Sequence, residues 1–73
     1  MKLSLQNHIR QHRARLELTQ ETLARRVDVR RQTIIAIEKG RYVPSALLAF
    51  RIARELGMRV DELFELVESH DEE

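Results

Sequence analysis

The chain has no cysteine and no tryptophan, one proline and two glycines in 73 residues. Without cysteine there is neither a disulfide framework nor a thiolate zinc site. Glycine occurs only at Gly40 and Gly57, so there is no glycine-rich loop to cradle a phosphate. Apolar runs such as Ile34–Ile37 and Ala46–Phe50 are far too short to span a bilayer. No signal peptide is expected ahead of the first helix, and the expected location is cytoplasmic. The serines are Ser4, Ser45 and Ser69, in a terminus, a helix start and the last segment. They form no nucleophile–base set. The reading is therefore not an enzyme, with no catalytic residue and no cofactor. His8 and His12 stand at the i, i+4 spacing that metal-binding histidines use, but no third ligand accompanies them. A half-buried His12 is the simpler reading, and no metal site is expected.

What is present is charge, unevenly placed. Residues 1–59 hold all 13 Lys and Arg against five acids, a surplus of eight; residues 60–73 hold seven acids and no base, which leaves the stated +1. A basic body suits a polyanion partner. Charge alone is equally compatible with a solvated surface. The 73 residues make one domain. A chain of this size buries only about 60–65% of its unfolded surface, so it would gain from dimerisation.

Apolar spacing and capping residues predict five helices, at 6–15, 20–27, 31–38, 46–56 and 60–66. Thr19 is a good N-cap for the second. Leu18 and Leu23 can staple its entry, and Leu23, Ala24 and Val27 form its inner stripe. Asp28 fills the tight turn that follows, since Asp tolerates a left-handed conformation better than most residues. Val29 and Ile34 can staple the third helix, Ile34 and Ile37 face inward, and Gly40 can end it. Arg30 stands in its capping position, at the cost of roughly 1 kcal/mol of capping. Pro44 and Ser45 open the fourth helix. Its stripe is Leu48, Ala49, Ile52, Ala53 and Leu56, and Gly57 closes it. Met58 and Leu63 can staple the fifth, with Arg59 again at a capping position. Leu3 and Leu5 near the start and Phe64 and Leu66 near the end alternate, which allows a short antiparallel ribbon between the termini. The domain is read as 1–67, with 68–73 as an acidic flexible tail.

Residues 18–45 read Leu18-Thr19-Gln20-x-x-Leu23-Ala24-x-x-Val27-x-Val29-x-Arg31-Gln32-Thr33-Ile34-x-x-Ile37-Glu38-x-Gly40-x-x-x-Pro44-Ser45. This stretch resembles the helix-turn-helix core of the phage-repressor/Cro-like (XRE) family of DNA-binding regulators. The resemblance continues more loosely to Phe64. It implies an all-α, five-helix repressor-like domain, with the terminal ribbon found in some small relatives. It also implies that the third helix enters the major groove of double-stranded DNA. Position by position, Arg31, Gln32 and Ala36 fall where family members commonly contact bases. Arg can fork onto guanine and Gln can pair with adenine. Ala36 could touch a thymine methyl. Ile35 could do the same or be a tolerated surface residue.

The phosphate-facing or bracing set is Gln20, Arg30, Thr33, Lys39, Arg41 and Tyr42. Gln20 would brace a recognition-helix side chain and touch the backbone. Tyr42 has packing as its alternative. In the family an Arg near the end of the first helix and a Glu near the end of the third often form a partly buried ion pair. Arg13 and Glu38 match those offsets. Asp28 and Arg30 depart from the usual Gly and Ser or Thr. The function implied is a sequence-specific transcriptional regulator, chiefly a repressor, binding a palindromic operator as a homodimer. Leu47 and the apolar termini supply candidate dimer surface. There is no room for a separate effector domain. The competing class is a protein-interaction module, such as an antitoxin or a transcriptional bridging factor.

Overall fold

The computed structural model describes residues 2–69. The order of elements is β1 (Lys2–Asn7), α1 (Ile9–Arg15), α2 (Gln20–Arg26), α3 (Arg31–Glu38), α4 (Ala46–Glu55), α5 (Val60–Leu63) and β2 (Phe64–Ser69). Five helices are present among the described residues, as expected, but the domain is not strictly all-α, because β1 and β2 pair as an antiparallel ribbon. Leu5 lies opposite Leu66 and Asn7 opposite Phe64. The ribbon takes the first turn expected of the first helix and the last expected of the fifth. Residues 6 and 7 are extended, and the fifth helix stops at Leu63. Alternation with period two places Leu5 and Phe64 against the core, where a continued helix would turn them away. β2 also takes in Glu68 and Ser69 of the segment expected as a tail; residues 70–73 lie outside the described residues.

The core is aliphatic. Ile9, Leu23, Val27, Ile34, Ile37, Ile52, Leu56 and Leu63 are fully enclosed, and Phe64 is the aromatic at their edge. Leu18, Val29 and Met58 pack against this cluster from outside, as the staple reading expects.

The turns share one construction. Glu17, Asp28, Gly40 and Gly57 all have positive φ, between 57° and 74°. Each follows the C-cap of α1, α2, α3 or α4. The next residue then reaches back to a carbonyl in the last turn: Leu18 to Arg13, Val29 to Ala24, Arg41 to Ala36 and Met58 to Ala53, at 2.8–2.9 Å. These are Schellman closures. In three of them the residue that reaches back (Leu18, Val29 or Met58) also precedes the next helix cap, so one apolar side chain ends one helix and starts another. The caps differ in quality. Thr19 Oγ1 accepts from the Thr22 N–H at 3.0 Å and Ser45 Oγ from the Leu48 N–H at 3.1 Å. Arg30 supplies no side-chain cap. At Arg59 only the reverse half of a capping box forms: Glu62 Oε1 accepts from the Arg59 N–H at 3.1 Å.

Candidate nucleic-acid interface

α3 begins with two exposed polar side chains, Arg31 and Gln32. Its inner face is fixed by buried Ile34 and Ile37, so the exposed pair must point outward. α2 packs beside α3 across the Asp28–Arg30 turn, as a helix-turn-helix requires.

A continuous polar chain braces this unit. Arg13 on α1 donates from Nε to Glu38 Oε2 at 2.8 Å and from Nη2 to Glu38 Oε1 at 3.3 Å. Its remaining nitrogen, Nη1, donates to the Leu18 carbonyl at 3.0 Å. The forked geometry is the strong form of an Arg–carboxylate pair. Only 15% of the Arg13 side chain and 8% of the Glu38 side chain are exposed, so this is not a solvated surface pair. Glu38 Oε1 also accepts from Gln20 Nε2 at 3.1 Å. The Gln20 carbonyl oxygen in turn accepts from Arg31 Nη2 at 3.3 Å. Three helices are thus tied through one carboxylate, and the chain ends on the exposed Arg31. The ion pair inferred from sequence offsets forms, and Gln20 bonds to Arg31 on α3.

The other expected residues distribute around this chain. Ile35 is half-buried and lines a cleft of about 590 Å³ with Gln20, Arg31 and Lys39. Thr33 and Ala36 are also half-buried, leaving Ala36 little to offer beyond its methyl. Arg30, Lys39 and Arg41 are exposed at the two ends of α3. Tyr42 stands apart: it lines an apolar cleft with Leu3 and Leu66 of the ribbon, which is the packing alternative.

Two participants were not singled out in the sequence. Arg10 in the first turn of α1 lines the same cleft as Arg31 and Lys39 and has no partner among the described residues. Its only signal was being one more arginine. Asn7 donates from Nδ2 to the Ile37 carbonyl at 2.9 Å, and its Oδ1 accepts from the Ile9 N–H at 3.2 Å. It thereby links the ribbon to the end of α3 and the start of α1 at once. Contacts 30 residues apart leave no periodic trace. His12 is half-buried and accepts from Arg15 Nε at 3.2 Å, while His8 faces Glu65 at 3.6 Å. Among the described residues no group of His, Cys, Asp or Glu could hold a metal ion, and no helix is long and apolar enough to cross a membrane.

Known proteins share this arrangement. The profile of the helix-turn-helix family matches residues 9–63. An uncharacterized HTH-type transcriptional regulator of Methanothermobacter thermautotrophicus is 62% identical over 61 residues, covering 82% of this chain and 88% of that one. The uncharacterized HTH-type transcriptional regulator YgzD of Bacillus subtilis is 44% identical over 66 residues, covering 90% of this chain and all of its own length. Among solved structures, the clp gene regulator ClgR of Corynebacterium glutamicum superposes with a TM-score of 0.70 at 28% identity, over 74% of this chain. The matched part is 57% of the ClgR chain, so this chain corresponds to a portion of that larger regulator. With α2 and α3 set by one tight turn and the Arg13–Glu38–Gln20 bracing in place, the chain belongs to the XRE-type helix-turn-helix family of DNA-binding regulators.

Proposed function

We propose that the protein is a sequence-specific transcriptional regulator that binds a palindromic operator as a homodimer and represses by occluding a promoter. The observation that carries this reading is the braced entry of α3. Arg31 and Gln32 project from a helix whose pose is fixed by Glu38, Gln20 and Arg13. A preset side chain loses less freedom on binding than a loose one. Arg31 and Gln32 read base edges, with Ile35 and Ala36 making apolar contact. Gln20, Arg30, Thr33, Lys39 and Arg41 position the backbone, while Tyr42 packs beside the ribbon. One small reading head gives limited specificity. Two heads about 34 Å apart in successive major grooves gain it by symmetry.

A binding selection on random duplexes at physiological salt tests the reading, and the expected product is a two-fold symmetric site. Arg31→Ala and Gln32→Ala should each lose about 1–3 kcal/mol at that site and relax preference at particular bases. Equal losses on selected and random DNA would remove the base-reading assignment. A selection that returns no preferred sequence would favour a protein-interaction module of the same fold.

A further inference from the structure

α3 is eight residues long, about 12 Å. At its entry the Arg31 side chain bonds to Gln20, and at its end the Glu38 side chain is gripped by Arg13. A further tie reaches its main chain and comes from the ribbon. Asn7, the last residue of β1, donates from Nδ2 to the Ile37 carbonyl at 2.9 Å. Its Oδ1 accepts from the Ile9 N–H at 3.2 Å. That is the first N–H of α1, and the His8 side chain leaves it uncapped. One partner can only accept and the other can only donate, so a single orientation of the amide serves both.

Asn7 is itself well fixed. It stands opposite Phe64 in the ribbon register, and the next residue, His8, donates its N–H to the Leu63 carbonyl at 2.9 Å. Leu3, Leu5 and Leu66 of the ribbon also share a cleft with Gly40 and Tyr42 of the loop after α3. That loop carries Arg41, one of the residues expected at the phosphates. The Ile37 carbonyl has a second donor, the Gly40 N–H at 3.0 Å. The Asn7 bond is therefore not needed to satisfy the end of the helix. What it adds is location. A grip on the Glu38 carboxylate acts through a flexible side chain, whereas a bond to a carbonyl holds the helix axis. Reading side chains must be held to within about 0.5 Å.

We infer that Asn7 is a positioning residue for DNA recognition: its amide sets the end of α3 on the ribbon, and the ribbon thereby belongs to the reading machinery although it lies outside the helix-turn-helix. This role rests on the sequence-specific reading above. Asn7 touches no base. It acts through α3, by fixing the angle at which Arg31 and Gln32 leave the body of the domain.

Two variants of the full chain separate the arms of the amide. Asn7→Asp keeps an acceptor for the Ile9 N–H, and its charge suits a helix start, but it cannot donate to Ile37. Asn7→Ser also keeps a local acceptor and is too short to reach Ile37. Neither strands the Ile37 carbonyl, so both should melt close to the wild type. Without DNA, amide exchange at Gly40 and Arg41 should quicken about fivefold to tenfold, the loss of one hydrogen bond, with Leu23 and Ile52 unchanged. The ratio of affinity for the selected site over a random duplex, at one salt concentration, should fall about tenfold. Affinity for the random duplex should hold. A merely structural role would leave that ratio alone. Gln6→Ala, at an exposed neighbour on the same strand, should change neither readout. A wild type with no preferred site would overturn the regulator reading and this inference together. A wild type with a preferred site, and variants that keep its full ratio, would overturn this inference alone. A lowered ratio with unaltered exchange at Gly40 and Arg41 would overturn the tie as its cause, and an equal loss in Gln6→Ala would overturn the part given to the Asn7 amide.

Discussion

Glu38 carries more structural consequence than any other single side chain near α3. Its carboxylate accepts both arms of the Arg13 fork and the Gln20 amide. Removing it strands a largely buried guanidinium. Glu38→Ala should therefore cost about 3–5 kcal/mol of stability, with DNA binding lost as a consequence. A double-mutant cycle with Arg13→Ala, followed by thermal unfolding, should give coupling well above the 0–1 kcal/mol of a surface pair. Additive effects would mean that the pair contributes nothing specific. This contact was legible in the sequence only because a family pattern links residues 25 apart. The Asn7 contact to the Ile37 carbonyl had no such pattern behind it. Glu62 had one: a Glu three residues after a cap is half of a known signature, but the Arg at the cap hid it.

At the scale of elements, apolar spacing foretold the helices well wherever a stripe and a cap agreed. Thr19 and Ser45 cap as expected, and Leu18, Val29 and Met58 pack where stapling placed them. The two ends of the helical region were read as too long. Leu3–Leu5 and Phe64–Leu66 alternate over too few residues to outweigh helix propensity locally. The ribbon that this alternation allowed does form, but its extent depends on each strand having the other, a long-range condition that local sequence does not set.

The turns offer a stability test. Glu17 and Asp28 hold left-handed conformations that cost non-glycine residues about 1–2 kcal/mol, less for Asp. Glu17→Gly should stabilise the fold by about 0.5–1 kcal/mol after the greater freedom of an unfolded glycine is subtracted. For a domain of this size that is a rise in Tm of about 2–8 °C. Asp28→Gly should gain less, and the ordering of the two variants by calorimetry is the check.

For the whole molecule, the charge asymmetry of the sequence becomes spatial. Arg10, Arg31 and Lys39 share one cleft beside α3, and the other sign gathers toward α5 and β2, with Asp61, Glu62, Glu65 and Glu68. Arg13, though basic, is neutralised by Glu38 and adds little to the outward field. Lys39→Ala, Arg41→Ala and Arg10→Ala should each weaken binding alike on all duplexes. A variant that removes a true phosphate partner should make the slope of log K against log salt shallower by about 0.9. An unchanged slope would place that residue off the DNA. The Arg59–Asp61 pair should not affect this measurement near neutrality. The Arg59 guanidinium bonds to Asp61 and holds its carboxyl below the usual range, so the acid stays ionised well into acidic solution.

The ribbon pairs Lys2 with Ser69 and Asn7 with Phe64, so it joins the two ends of the described chain and closes a loop from His8 to Leu63, 56 residues long. Closing such a loop in an unfolded chain costs about 3.5 kcal/mol of entropy. The zipper can therefore form cheaply only after the helices have brought Asn7 and Phe64 together. The expected order is thus helices first and ribbon last in folding, with the strands opening first on the way out. Leu5→Ala, which removes a half-buried ribbon side chain, should lower stability by about 1–2 kcal/mol. Nearly all of that change should appear as unfolding accelerated about tenfold, with the refolding rate almost unchanged. Stopped-flow measurements on both limbs would show it, and slowed refolding would place the ribbon in the nucleus instead.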